Sequence, residues 1–588
     1  MGVKKWGVAA AAVGLGATAL TACSSDGGSG DEEQGGGGGA VRIAEVNEFT
    51  SFNNNSAAGN LDTNSKIAYL TRSSFIYVDD ELNIVPDEGF GTVEVESEDP
   101  LTVTYTVNEG IEWSDGEPVD ADDLMLAWAV QSGYYDDATI DPATGEVSGG
   151  TSYFTYAGDT AGLGLTELPE VGEDGRSVTL TYTEPYADYE LVDLGIDLPA
   201  HVVAEGAGTT SEEMLEAFQS TPRGNADAPA EANPTIKAVA DFWNTGFDVT
   251  SLPDDESLFL SSGPFIVDSW DAGESMTLVK NENYGGDREV SYDSVVVRFI
   301  GDANAQVTAL RNGEVDIISP QPSADTLDTL ESIETATVEQ GDQFSYDHLD
   351  LNFGSEVFAD PTVREAFMKI VPRQQILDSI VTPLNPEAAI LDSQIFFPGQ
   401  EGYDEAAGSN GSDAYAEPDI AGAQELLAGR TPTVRVLYNT ENPNRVDAFT
   451  LLQQNAAEAG FVIEDLGSPD WSSLLPGGDY DASIFGWISS GVGVAGVPQI
   501  FGTGGGGNYN GYSNPEADAL MDELIVTLDR DEQIALQTEI DSTLWADFYG
   551  LPLFASPGVL AYGERVTGPA YYPGQTGAVW NFWEWELS

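Results

Sequence analysis

One cysteine and two histidines are all that a chain of 588 residues contains of those types. A single cysteine rules out an internal disulfide. With no second thiolate, and with His201 and His348 far apart, no zinc or thiolate site has the ligand spacing it needs. Basic residues are scarce too: 20 Lys and Arg stand against 100 Asp and Glu, a formal net charge of −80. That charge repels phosphate backbones and anionic head groups, which excludes nucleic acid and an electrostatic membrane surface as partners. No G-x-S-x-G elbow, P-loop or G-x-G-x-x-G occurs. The run GTGGGG at 502–507 lacks the Lys-Ser/Thr that would meet phosphate and magnesium, and reads as a flexible loop. Acids are so evenly spread that no carboxylate pair stands out for glycosidase-type chemistry. Nothing here argues for an enzyme, a metal or a cofactor.

What is present begins with a targeting segment. Lys4 and Lys5 precede an apolar run at residues 8–20, too short to span a bilayer comfortably and followed by small residues. LTAC, residues 20–23, resembles the bacterial lipoprotein signal, which implies removal of residues 1–22 and lipidation of Cys23. Lipid chains hold a protein at a membrane through buried methylenes, without a spanning helix. No later segment is long and apolar enough to span. Residues 24–39, SSDGGSGDEEQGGGGG, contain nothing to build a core from and read, with Cys23, as a flexible tether over 23–40. The folded part is expected from residue 41. It is long enough for two or three domains of roughly 150 residues each.

Strands and helices then alternate. Residues 41–46 and the alternating LTVTYTV of 101–107 read as strands, 121–131 as a helix, and 177–184 as a strand before a helical, turn-rich stretch to residue 244. Three strands follow closely at 263–270, 276–281 and 295–300. From residue 304 the pattern is α/β. Helices are expected at 304–312, 324–333, 361–371, 419–428, 445–459, 515–528 and 531–548, with strands at 315–319, 348–352, 434–439, 461–466, 481–487 and 551–556. Gly313 and Gly460 mark helix ends, and Pro361 opens a helix at its first turn. The simplest architecture is two α/β lobes with the C-terminal tail returning to the first. A cleft between lobes is where a small ligand usually sits.

The stretch IEWSDGEPVDADDLMLAWAV, residues 111–130, gathers Glu112, Asp115, Glu117, Asp120, Asp122 and Asp123 around Trp113. A calcium loop needs acids at alternate positions, then Gly, then a Glu at position twelve, and this order fails. Local structure accounts for the acids better. Ser114-Asp115-Gly116 is a turn, Pro118 ends the extended part, and Asp120 sits where an N-cap belongs. Asp122 and Asp123 lie in the first helical turn, where the helix dipole favours negative charge. Leu124, Ala127 and Trp128 can then face a core.

YTVNEGIEWSDGEPVDADDLMLAW also resembles the signature of the extracytoplasmic solute-binding proteins that serve oligopeptide, dipeptide and nickel ABC importers. Further segments fall in that family's order. They are Ser262-Gly263-Pro264-Phe265 with Asn281-Glu282-Asn283-Tyr284, then ALRNGEVDI at 309–317, then Leu349-Asp350-Leu351-Asn352 with DPTVREA at 360–366. Tyr480-Asp481 to Trp487 and YSNPEAD at 512–518 follow. The resemblance covers nearly the whole chain past the tether.

It implies a bilobed α/β fold of the periplasmic-binding-protein type II with an extra subdomain. Lobe I would run over 41–271 (extra subdomain about 76–175), lobe II over 272–550, and 551–588 would return to lobe I. The crossings near Ser262–Phe265 and Leu551 are expected as hinges. It implies an extracytoplasmic receptor at the outer face of the cell membrane, taking a peptide or peptide-like solute to ABC permease subunits and working as a monomer. Peptide-binding members hold the ligand's amino end with an acid three residues after the tryptophan of a Gly-Trp segment. Here that segment is Gly486-Trp487, and Ser490 stands at the acid's place. A neutral hydroxyl bonds more weakly than a carboxylate, so either another acid serves or the ligand has no free amino end. By the same resemblance Trp487, Tyr153, Asn53, Ser262 and Asn352 are candidate ligand contacts. Nickel is not expected, because nickel-binding relatives rely on histidine and neither histidine is expected near those residues. Two other readings remain open. One is a non-transport envelope lipoprotein on the same fold that regulates cell-wall or glycolipid assembly. The other is a secreted hydrolase, for which no triad or metal set is present.

Overall fold

The computed structural model describes residues 39–140, 147–158, 160–195, 198–489 and 491–588. Residues 1–38, with Cys23 and most of the expected tether, and Ser490 lie outside the described residues; Ala40, expected to end the tether, already begins a strand.

Alternation of apolar and polar residues sets the smaller of two main sheets. Along Leu101–Val107 every second side chain is buried: Leu101, Val103, Tyr105 and Val107. This strand pairs antiparallel with Gly91–Glu98 on one side and Ser177–Thr181 on the other, and Glu170–Val171 completes a four-stranded sheet. The helix Ala121–Ser132 buries Leu124, Met125 and Trp128 in the same hydrophobic cluster. The acids that open it act locally, as expected. The Asp120 carboxylate accepts from Asp122 N at 2.9 Å, and Asp123 Oδ2 accepts from Asp120 N at 3.0 Å, closing a capping box. Gly116 turns at φ +91°, and Gly133 ends the helix in the left-handed region at +59°.

The larger sheet has ten strands. In spatial order they are Phe265–Asp271, Ser275–Lys280, Ser294–Phe299, Ala40–Glu45, Ile317–Ile318, Gly550–Gly563, Ala336–Leu351, Ala482–Ile488, Thr433–Tyr438 and Val462–Asp465. Ala336–Leu351 and Gly550–Gly563 are its longest members and lie antiparallel side by side. Their register is interrupted between Asp342 and Tyr346 and again between Asp347 and His348. One end of the pair packs with the N-terminal strands through Val338, Val559 and Ala561. The other end contributes Leu349, Leu351, Leu551 and Leu553 to a separate cluster, built on helices such as Pro361–Met368 and Pro443–Ala459.

The boundary expected between residues 271 and 272 falls in a hairpin turn. Phe265 and Met276, on its two strands, lie in one cluster with Val41. The crossing expected at Ser262–Phe265 is likewise tied to the first half of the chain. Ser262 Oγ accepts from Ser73 N at 3.1 Å, Ser73 Oγ donates to Ser262 O at 2.9 Å, and Gly263 N donates to Thr71 O at 2.9 Å. Leu560, Val566, Phe582 and Trp585 are buried with Val41 and Phe265.

A charged node ties Arg565 to the N-terminal strand Ala40–Glu45 through Asp316. Asp316 accepts from Arg42 Nη2 at 2.7 Å, Arg42 Nε at 3.0 Å and Arg565 Nη1 at 2.7 Å. Burial raises its carboxyl, but the bonds from Arg42 and Arg565 outweigh that and hold it below the usual carboxylate range. Asp316→Ala is expected to cost about 2–3 kcal/mol, as removal of hydrogen bonds to charged partners does, read as a lowered urea midpoint. An unchanged midpoint would show that the node merely decorates the surface. Among the described residues, no helix is long and apolar enough to cross a membrane.

Candidate ligand-binding site

A cavity of about 420 Å³ opens between residues 186–195 and residues 492–496, in the size range of small-molecule sites. From the first half of the chain it is lined by Asn55, Gln131, Tyr156, Tyr186, Asp188 and Asp193. Val492, Ala495 and Gly496 close it from the other side. Gly491 and Gly493, at φ +78° and +80°, turn the chain out of the strand Ala482–Ile488 and bring these residues there.

Asp193 is held at the cavity by local bonds. Ser74 Oγ donates to its carboxylate, Phe75 N donates to Oδ1 at 3.2 Å, and Gln131 Nε2 donates to its backbone carbonyl at 3.3 Å. Burial pushes its carboxyl up to about 6, against these donors and the charge of Arg288. Asp188 accepts from Val494 N at 2.9 and 2.8 Å and from Ala495 N at 2.8 Å. The lining offers carboxylates, phenols, amides and apolar contact, a set suited to binding by hydrogen bonds.

At the end of Ala482–Ile488, outside the residues that line this cavity, stands an aromatic wall. Trp487 is half-buried and stacks on Tyr509 with centroids 5.6 Å apart and planes 10° apart. It pairs across the sheet with Tyr346, whose ring lies 5.5 Å from that of Phe397. His348 is also in this wall, its ring 6.5 Å from Trp487 and 4.2 Å from Phe485. The expectation that neither histidine lies near the candidate residues therefore fails, because period-two spacing puts residues 346 and 348 on one face of a strand. His348 is buried, with Asp350 Oδ1 at 3.4 Å as its charged neighbour. Among the described residues no group of three or more His, Cys, Asp or Glu could hold a metal ion.

The side chains of the other candidates are bonded within the chain. Asn53 Nδ2 donates to Trp243 O at 2.7 Å, and its Oδ1 accepts from Asn55 N at 3.2 Å. Tyr153 is buried, its hydroxyl accepting from Asn233 N at 2.9 Å. Ser262 bonds to Ser73, and Asn352 Nδ2 donates to Gly478 O at 3.0 Å and Tyr480 O at 2.8 Å. Asn53 and Tyr153 each miss the cavity narrowly: Asn55 and Tyr156 line it instead, on two segments joined by Ala57 N to Thr155 O at 2.8 Å. Asp188 and Asp193 carry no sequence signal that separates them from the other 98 acids of the 100.

Comparison with known proteins agrees with this architecture. The sequence model of the bacterial extracellular solute-binding proteins, family 5 Middle, matches residues 92–509. The oligopeptide-binding protein OppA of Mycobacterium tuberculosis is 25% identical over 523 residues, covering 85% of this chain and 77% of that one. An uncharacterized lipoprotein of Mycobacterium leprae is 26% identical over 610 residues, covering 100% of this chain and 99% of that one. Among solved structures, the periplasmic EDTA-binding protein EppA superposes with a TM-score of 0.78 at 22% identity, covering 94% of this chain and 97% of that one. The oligopeptide-binding protein AppA of Bacillus subtilis, in complex with a nonapeptide, does so at 0.67 and 19% identity, covering 94% and 99%.

Proposed function

The chain belongs to family 5 of the bacterial extracellular solute-binding proteins, with the type II periplasmic binding-protein fold, and on that premise we propose that it captures an oligopeptide or peptide-like solute. It delivers that solute to the permease subunits of an ABC importer, without catalysing a reaction. It does so as a monomer held to the outer face of the cell membrane by lipid on Cys23. Lobe I comprises residues 39–335 and 559–588, lobe II residues 349–554, and the two long strands join them. The observation that carries this reading is the cavity lined from both lobes, with Asp188 and Tyr186 on one side and Ala495 on the other. Resemblance to relatives named as oligopeptide- and dipeptide-binding supports a peptide-like solute.

Trp487 walls the ligand, and Tyr509 fixes its plane by stacking. Asn53, Tyr153, Ser262 and Asn352 act by shaping the backbone around the cleft, since each is spent on internal hydrogen bonds. By the family resemblance Ser490 takes the place of an acid, so the ligand's amino end, where it has one, is met elsewhere.

Mass spectrometry of solute released from purified, denatured protein tests the reading, together with melting shifts across a peptide library. A bound solute raises the melting temperature by mass action. No co-purifying solute and no shift would count against capture and favour the regulatory envelope lipoprotein. Trp487→Ala is expected to weaken binding of a solute so identified by roughly tenfold to a hundredfold, the worth of one large apolar contact, in protein that still unfolds cooperatively. Unchanged affinity would remove Trp487 from the site.

A further inference from the structure

Three adjacent residues, Tyr186, Ala187 and Asp188, bridge two different hydrophobic clusters. The Tyr186 side chain is buried in the cluster that contains Val41, Trp128 and Phe265. Ala187 packs against a different cluster, formed by Val494, Val497, Phe501 and Leu524, and its N–H donates to Ile525 O at 2.8 Å. Asp188 follows, with its carboxylate on the N–H groups of Val494 and Ala495 at 2.8–2.9 Å. Consecutive backbone N–H groups turned to one side make a concave anion site. Here it is filled by a carboxylate from the other half of the chain.

The fit leaves no slack. Asp188 is 8% exposed. A Cβ on Gly493 would lie 2.7 Å from Asp188 Oδ2 and 2.6 Å from Leu191 Cδ1, so the loop can close on the carboxylate only because residue 493 is glycine. Its φ of +80° requires glycine as well. Asp188 and Ala495 also line the cavity, so this contact seals its rim.

We propose that the Asp188 carboxylate, seated on Val494 N and Ala495 N, is the latch that holds the two lobes closed over the cavity before any solute binds. The proposal rests on the two-lobe reading. It makes closure a property of the chain itself: the closed arrangement is populated without ligand, and a solute must enter through the fraction of molecules whose latch is released.

Small-angle X-ray scattering of the solute-free, full mature chain tests it, with thermal unfolding of each variant as the check on folding. Asp188→Ala removes the latch, Gly493→Ala expels it from the loop side, and Asp188→Asn keeps the shape but leaves only a neutral acceptor. Losing hydrogen bonds to a charged group is worth roughly a tenfold to hundredfold drop in the closed-to-open ratio. The expected result is a larger radius of gyration in Asp188→Ala and Gly493→Ala than in the wild type, with Asp188→Asn intermediate and all three unfolding cooperatively. If Asp188→Ala fails to fold, Asp188→Asn and Gly493→Ala carry the comparison. Folded variants that scatter as the wild type does would overturn the latch, and so would a wild type already as extended as they are. Because no solute is added, failure here leaves solute capture standing, and a failure to find a solute leaves the latch standing.

Discussion

Arg373→Ala is expected to lower the unfolding free energy by about 3–4 kcal/mol, the largest single loss among the substitutions considered. Arg373 opens the helix Arg373–Ile380 and has no solvent exposure, yet it carries a full charge. Its Nε donates to Pro552 O at 3.0 Å, Nη1 to Asp392 Oδ1 at 3.0 Å, and Nη2 to Leu391 O. The guanidinium lies 5.7 Å from the centre of the Trp545 ring. One side chain thus ties a helix, a loop and the long strand Gly550–Gly563. Truncation leaves a cavity and two carbonyls without donors, whereas Asp392, about a third exposed, can turn to water. Arg373→Met fills most of the volume and leaves only the carbonyls, so its loss should be near half as large. Urea unfolding separates the cases. Equal losses in both variants would mean that hydrogen bonding alone accounts for the effect, and an alanine variant within 1 kcal/mol of wild type would remove Arg373 as an anchor.

The second large effect is on pH. Burial pushes the Asp123 carboxyl up to about 7 from an ordinary 3.8, against the N–H groups of Ala200 and Asp120 that favour its charge. Burial likewise pushes Asp193 and Asp541 up to about 6. In the unfolded chain these groups ionise near 3.8, so between there and their folded values the native state binds more protons than the unfolded one. Their contribution to stability is complete below 3.8 and is lost as pH rises, by up to about 1.4 kcal/mol per pH unit for each group. Asp316 and Asp481 act in the opposite direction. Burial raises both, but arginine bonds outweigh it and hold them low, so their contribution is present above 3.8 and lost as pH falls through the folded values. Self-repulsion at a net charge of −80 adds to the loss on the alkaline side. Maximum stability is expected at about pH 4–5, with a steady decline toward neutrality. Asp123→Asn is expected to be less steep over that range and to gain on the wild type as pH rises. Parallel curves for the two proteins would show that Asp123 does not titrate between them.

The sequence was most legible where structure is local. The strand Leu101–Val107 and the helix after Asp120 lie where alternation and capping residues place them, because neighbours in sequence decide both. The long strand Ala336–Leu351 was readable only at its end. Its first ten residues are partly exposed and mixed in character, and are held straight by Gly550–Gly563, some two hundred residues away. The same distance hid the sheet order, which brings Met276 beside Val41 in a way that no local pattern encodes. At the site, Trp487 was visible through its motif. The Tyr186–Asp188 strap was not, because one acid in so acidic a chain looks like every other until its partner loop is beside it. The aromatic in GGTSYF illustrates a finer failure. Tyr153 turns inward to bond Asn233, and Tyr156, three residues on, lines the cavity.

The pair of long strands also determines what kind of joint the molecule has. Two bodies joined by loose tethers can swivel in any direction. Two hydrogen-bonded ribbons lying side by side resist sliding along their length and yield chiefly by bending out of their plane. The break in pairing between Asp342 and Tyr346 is where that stiffness is lowest. On the two-lobe proposal, such a joint favours one bending direction over a free swivel, and a solute would enter on the side that this bend opens.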